Sequence, residues 1–331
     1  MKFKTFSFIT ALACCAITTQ AENLNVYSYD SFTSDWGAGP KIKTLFEQKF
    51  PQCQLQYTTF DSAGTMFNRI RLEGNKLKAD IVLGLDNYML DEAQHTGLFT
   101  KNAVDLNTIS LPLEWNNQTF LPYDFGLYAF IYDKNKLPHP PKSLKELVER
   151  QDLKIIYQDP RTSSVGQGLM VWLNAVYPQD QVASAWQTLA KHTVTVGKGW
   201  SSTYGAFLKG EADLVLSQNT SPLYHLINEK KDNYAATEFS EGNILQIELA
   251  AKVAGRNNNC ADHFMAFLIS PTAQKEIALY NTMLPVSRES IEPHYDALKA
   301  EVATKLILNT QNVKQADLKK WIDTWQRSLI K

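Results

Sequence analysis

Residues 153–168 read Leu-Lys-Ile-Ile-Tyr157-Gln-Asp159-Pro-Arg161-Thr-Ser163-Ser164-Val-Gly166-Gln-Gly168. They bring one arginine and three hydroxyls together between an apolar run and a glycine-containing stretch, a set that suits an anion. The run 153–157 reads as a buried strand, and Asp159-Pro160 breaks it. Beyond Gly166, the positions Leu169, Val171, Trp172, Ala175 and Val176 recur at helical spacing. A strand, a hydroxyl-rich turn and a helix start leave backbone N–H groups pointing outward, toward a phosphate or another polar ligand end. The same pattern also serves as an ordinary strand-to-helix turn with Ser or Thr as N-cap. Arg161 suits a phosphate by its charge, but we read it first as the partner of Asp159.

Other chemistries lack their residues. The six histidines form no HxxxH or HxxH pair and no CxxC occurs, so the sequence offers no zinc site. Gly166 and Gly168 begin a dinucleotide fingerprint, but Val171 stands where the third glycine belongs. There is no P-loop and no GxSxG elbow, and Ser201 and Ser202 have no neighbouring base. The chain is therefore not expected to be an enzyme.

Several further elements must position polar and aromatic residues. Residues 24–29, 54–60 and 79–85 read as strands, each followed by a polar turn and then a helical pattern. This alternation implies βαβ units and a mainly parallel sheet, with ligands beyond the carboxyl ends of the strands. Tyr29, Asp30, Trp36, Asp61, Ser62 and Asp86 fall at those ends. Residues 120–133 and 244–254 are long and extended, and read as segments crossing between two lobes. In the second lobe, Gly199-Trp200 opens one helix, and Gln218-Asn219-Thr220-Ser221-Pro-Leu-Tyr224 leads from a strand at 212–217 into another. Ser270-Pro271 begins a later helix as N-cap and first helical residue. The last helix, with Leu318, Trp321, Ile322, Trp325 and Leu329 on one face, is assigned to packing.

The first 21 residues read as a secretory signal peptide: Lys2 and Lys4, an apolar core at 6–17, then Thr19-Gln20-Ala21. The 331 residues exceed what one compact core usually holds, hence two lobes. The formal net charge is −1, with no basic patch, which argues against nucleic acid. Cys53 and Cys260, the cysteines beyond the signal segment, are either paired or two buried thiols.

Longer strings carry a resemblance. Val26-Tyr-Ser-Tyr29-Asp30-Ser-Phe, Ala79-Asp-Ile-Val-Leu-Gly-Leu-Asp86-Asn, Tyr157-Gln-Asp-Pro-Arg161-Thr-Ser163, Lys198-Gly-Trp200-Ser, residues 207–217 and Thr220-Ser221-Pro-Leu-Tyr224-His resemble the thiamine-binding periplasmic proteins of bacterial ABC importers. The likeness runs from about residue 24 to residue 270. It implies an α/β, two-lobed periplasmic binding fold of type II, with mainly parallel sheets around a central ligand cleft. One lobe is expected from 22–125 and 245–285, the other from 126–244 and 286–331.

By the resemblance, Ser62 and Ala63 touch ligand after the second strand, and Ser163 and Ser164 take its phosphate end. Trp200 and Gln218, Asn219, Thr220 and Ser221 line the other lobe, while Tyr224 offers an aromatic face. Tyr29, Trp36 and Asp61 complete the expected site, with Asp30 or Asp61 balancing a cationic ring. Two positions depart from the family, which has an aromatic ring in place of Gln218 and a tryptophan in place of Thr282; both changes remove stacking surface. The implied function is capture of thiamine or its mono- or diphosphate by a periplasmic monomer, with no resident cofactor or metal, and delivery to a membrane permease. The alternative is a binding protein of the same fold for another cationic or phosphorylated solute, such as a polyamine or aminophosphonate. Ferric ion is disfavoured, because Ser221-Pro-Leu-Tyr224 lacks an adjacent tyrosine pair.

Overall fold

The computed structural model describes residues 21–330. Apart from Ala21, the expected signal segment lies outside the described residues. In chain order, β1 (Glu22–Tyr29) leads through α1 (Asp30–Thr33) to α2 (Gly39–Lys49), and β2 (Cys53–Phe60) leads to α3 (Ala63–Glu73). β3 (Ile81–Asp86) is followed by α4 (Leu90–His95), β4 (Phe99–Thr100), β5 (Phe120–Asp133) and α5 (Leu144–Glu149). Three strand–helix units come next: β6 (Ile155–Gln158) with α6 (Ser164–Val176) and α7 (Val182–Ala190), then β7 (Thr193–Gly197) with α8 (Trp200–Leu208), then β8 (Leu214–Gln218) with α9 (Ser221–Asn228). After β9 (Tyr234–Ala236) come β10 (Leu245–Val253), α10 (Asn259–Leu268), α11 (Pro271–Glu276), β11 (Leu284–Pro285), α12 (Pro293–Val302) and α13 (Gln315–Leu329).

The main strands stand in the order β2-β1-β3-β10-β5-β8-β6-β7. β1 pairs in parallel with β2 and β3, and β6 with β7 and β8. β10 and β5 run antiparallel to each other and to β3 and β8. The sheets are thus mixed rather than mainly parallel. The reason is directional: β5 carries the chain out of the first lobe and β10 brings it back, so the two meet in opposite senses.

Among the described residues, two large hydrophobic cores result, with a smaller cluster of Ile131, Ile156, Tyr204, Phe207, Ala212 and Val215 beside the second. The first gathers Leu24, Val26, Ile42, Phe46, Ile81 and Phe264, and the second gathers Tyr157, Leu169, Trp172, Trp186, Leu216 and Trp325. β5 belongs to both: Phe120 to Leu127 pack in the first, while Tyr128 and Phe130 pack in the second. Such a strand ties the lobes while leaving each its own interior.

The expected division needs one correction. Residues from 286 onward were given to the second lobe, yet Val286, Tyr295 and Val302 are buried in the first core. The chain crosses a third time only after α12, where Leu306 and Leu308 hydrogen-bond to Asn243. α13 then docks on the second lobe, its Trp325 Nε1 donating to Tyr157 Oη at 3.1 Å. Arg161 lies 5.4 Å from the Trp325 ring and makes a forked contact with Asp159, from Nε at 3.0 and 3.1 Å and from Nη2 at 2.6 Å. The arginine therefore fixes the 159–164 turn, and the last helix supports it.

The cysteine alternative resolves in favour of a bond. Cys53, at the start of the edge strand β2, is disulfide-bonded to Cys260 in the first turn of α10, with Cα atoms 5.8 Å apart. Among the described residues, no helix is long and apolar enough to cross a membrane.

Candidate functional site

The carboxyl ends of β1, β2, β6, β7 and β8 converge on one cavity of about 330 Å³ between the lobes. Tyr29, Trp36, Asp61, Ser62, Ala63, Ser163, Ser164, Trp200, Gln218, Ser221 and Tyr224 all line it. Asn219 and Thr220 do not. Asn219 grips the crossing strand instead, accepting from Leu127 N at Oδ1 (3.0 Å) and donating from its own N to Leu127 O (2.8 Å). Thr220 is fully buried, with Oγ1 4.0 Å from Met283 Sδ. A polar turn was expected to face the ligand along its whole length, but only its two ends do.

One end of the cavity is a hydroxyl end. Ser62 is the N-cap of α3 and accepts from Thr65 N at 3.1 Å; Ser163 is the N-cap of α6 and accepts from Gly166 N at 3.4 Å. Each cap satisfies one helix-start donor and leaves others directed outward, so two helix N-termini from opposite lobes meet here. That is a place for negative charge. Ser62 Oγ also donates to the Thr162 carbonyl, joining the lobes.

Another part of the lining is aromatic. Trp200 stacks on Tyr204, with centroids 4.8 Å apart and planes at 19°, and faces Trp36 of the first lobe at 6.3 Å. Trp200 Nε1 donates to Ser217 Oγ at 2.7 Å, which fixes the indole plane. Behind Tyr204 stands buried His225, with Nε2 2.9 Å from the Tyr204 hydroxyl and Nδ1 2.9 Å from Glu229 Oε2. These second-lobe rings are held by contacts within the protein. Replacing Trp200 by phenylalanine is expected to abolish most of the ligand-induced tryptophan fluorescence change and to weaken binding severalfold. A variant with the full wild-type change and affinity would show that Trp200 only packs.

The cavity floor joins the expected Tyr29 and Gln218 to residues the sequence reading missed, among them Gln246, Glu248, Tyr280 and Asn281. Tyr29 is set there by a close approach to Gly84, where a Cβ would lie 2.3 Å from the Tyr29 ring; Gly84 itself has φ +111°. Tyr29 Oη donates to Glu248 Oε2 at 2.7 Å, Tyr123 Oη to the same oxygen at 3.0 Å, and Asn281 Nδ2 at 3.0 Å. Asn281 ends a π-helical turn, Ile277–Asn281, and Thr282 after it has φ +55°, strained for a β-branched residue. That backbone aims Tyr280, Asn281, Thr282 and Met283 at the cavity. Gln218 Nε2 donates to Gln246 Oε1 at 2.8 Å, an amide pair where the resemblance led us to expect a ring. Some of these residues carried a signal: Trp200 and Tyr204 are four apart on one helix face, and Gln246 and Glu248 alternate on one strand face. The π-turn carried none.

One ion pair joins the lobes at the mouth. Asp61 Oδ2 accepts from Lys198 Nζ of the other lobe at 2.8 Å, with both side chains largely exposed. Burial pushes the Asp30 carboxyl up from its ordinary value. Among the described residues, no group of three His, Cys, Asp or Glu side chains is arranged to hold a metal ion.

The comparisons with known proteins agree with this architecture. The chain is 65% identical over 323 residues to the thiamine-binding periplasmic protein of Haemophilus influenzae, covering 97% of each chain. It is 49% identical over 320 residues to the thiamine-binding periplasmic protein of Escherichia coli, covering 96% of this chain and 97% of that one. A solved periplasmic thiamin binding protein superposes with a TM-score of 0.86 at 46% identity, covering 94% of this chain and 97% of that one. With residues 41–323 matching the model of that family, the chain belongs to the bacterial extracellular solute-binding proteins, a family of binding proteins and not of enzymes.

Proposed function

We propose that this protein captures thiamine, free or as its mono- or diphosphate, in the periplasm and presents it as a monomer to the membrane permease of an ABC importer. The relatives at 65% and 49% identity carry that ligand in their names. The observation that carries the reading is the presence, within one cavity, of the Trp36–Trp200–Tyr204 rings and the hydroxyls of Ser62, Ser163 and Ser164. Thiamine has a flat aminopyrimidine that stacks, a permanently charged thiazolium and a hydroxyethyl arm that carries the phosphates. A cation over an aromatic face gains about 0.5–2 kcal/mol as water is excluded. With Gln218 engaged by Gln246, stacking rests on Trp200 and Tyr204.

Calorimetry of thiamine and its two phosphates tests the reading. The Ser163→Ala, Ser164→Ala double variant should bind the phosphates about tenfold or more weakly, because a hydrogen bond to a charged group contributes about 1.5–3 kcal/mol. Free thiamine should be largely spared. Ser163 also caps α6, and losing a cap costs about 1 kcal/mol of stability, so thermal midpoints must accompany the affinities. Equal losses for all three ligands would mean that the turn only orders the cleft. Failure of the wild type to bind any of them would end the thiamine reading.

A further inference from the structure

Asp86 of β3, Glu248 of β10 and Asp124 of β5 occupy directly paired positions on three adjacent strands. The three carboxyls therefore lie in a row beneath the cleft, 1%, 7% and 0% exposed respectively. Among the described residues, no lysine, arginine or histidine forms an ion pair with any of them. The groups facing the row are the hydroxyls of Tyr29, Tyr88, Tyr123, Tyr128 and Ser164 and the Asn281 amide. Lys299 reaches the Pro285 and Ser287 carbonyls instead.

The three acids are not equivalent. Asp86 is tied to backbone, with Oδ1 accepting from Tyr88 N and Met89 N. Asp124 lies against Glu248, and burial together with the Glu248 charge holds it protonated far above the carboxylate range. Burial also raises Glu248, but its Oε2 takes three donors, which keeps it the ionised partner of the pair. Protonated Asp124 also donates to it, and Glu248 is the member of the row that lines the cavity. A buried carboxylate thus borders the ligand space, and among the described residues no protein cation pairs with it.

We infer that Glu248 supplies the counter-charge for the cationic ring of the ligand, the role the sequence reading gave to Asp30 or Asp61. This rests on the thiamine reading. Asp61 already has Lys198. The pair also links binding to pH. A bound cation favours the ionised carboxylate, so a proton taken up by free Glu248 must leave when ligand enters. Affinity is therefore full above the pKa of Glu248 in the ligand-free protein and falls as pH drops through it.

The experiment is calorimetry with thiamine across a pH series that runs from the ordinary carboxylate range up to about pH 8, in buffers of different ionisation enthalpy, so that protons released on binding are counted. The wild type should release a growing fraction of a proton as pH falls. Glu248→Gln should bind about tenfold or more weakly at the upper end and show a flattened pH profile. The neutral aminopyrimidine half of thiamine, used as a competitor, should distinguish wild type from variant far less. Wild-type binding without proton release at any pH would overturn the inference even if the variant failed to fold. Unchanged affinity and slope in Glu248→Gln would overturn it too, as would a slope removed by Asp30→Asn instead. A wild type that ignores thiamine would overturn the ligand reading first, and this inference with it.

Discussion

Replacing Gly64 by alanine should weaken ligand binding by between about tenfold and a hundredfold while leaving the free protein folded. A Cβ at this position would lie 2.2 Å from the Thr162 carbonyl oxygen, 2.6 Å from its carbon and 3.1 Å from Ser163 N, all backbone atoms of the opposite lobe. The neighbourhood is a seam: Ser62 donates to that same carbonyl, Asp61 pairs with Lys198, and Gly199 sits against the Asp61 backbone. Overfilling such a contact costs about 1–3 kcal/mol, which converts to the range given. Opening the lobes relieves the clash without disturbing either core, and alanine is the better helix former at a position inside α3. The variant's thermal midpoint without ligand should therefore stay level or rise. Small-angle scattering should show the wild type compacting on thiamine and the variant failing to compact. Wild-type affinity in Gly64→Ala would mean that the ligand-bound protein does not bring these two backbones together.

The second large effect concerns stability alone. A chain beginning at Glu22 and carrying Cys53→Ser and Cys260→Ser should lose about 2–5 kcal/mol. β2 is an edge strand paired only to β1, so it relies on that ladder, on α2 and α3 behind it, and on the bond to α10. The disulfide spans 207 residues of sequence, and much of the conformational freedom it removes is that of the unfolded chain. Its position at the start of β2 is a strand's length from the Asp61 turn, so thiamine affinity should change little. Calorimetric unfolding measures the loss. Two thiols reacting in the denatured wild type without reductant would remove the basis for the prediction.

The parts of the site that were legible in the sequence were those marked by turn chemistry. Ser62, Ser163 and Trp200 stand where an apolar run breaks into a polar turn before a helix, and the strand-end rule places such turns in a cleft. Tyr204, His225 and Glu248 lie inside a helix or strand, where a ring or a carboxyl reads as core packing or as an exposed face. Spacing puts Tyr204 on a face with Trp200 and Glu248 on a face with Gln246, but only the partner elements show that these faces meet the cleft. Asn219 and Thr220 were over-assigned because composition marks a polar turn without saying which of its residues turn inward. The placement of α12 depended on long-range packing of Tyr295 and Val302, for which no local pattern exists. The mixed sheet followed from the crossing segments, recognised as extended but not given a direction.

The order in which this chain can fold follows from the place of β10. Within the first lobe that strand lies between β3 and β5, yet the whole of 134–243 is synthesised before it. The second lobe's strands β6, β7 and β8 are close in sequence, and closing loops between them costs little entropy. The first lobe's sheet is split until β10 arrives, and its seal at Cys260 comes later still. High sequence separation of contacting strands slows folding. The lobe that begins the chain is thus the one that must wait, with β1, β2 and β3 exposing an unpaired β3 edge until the returning strand covers it.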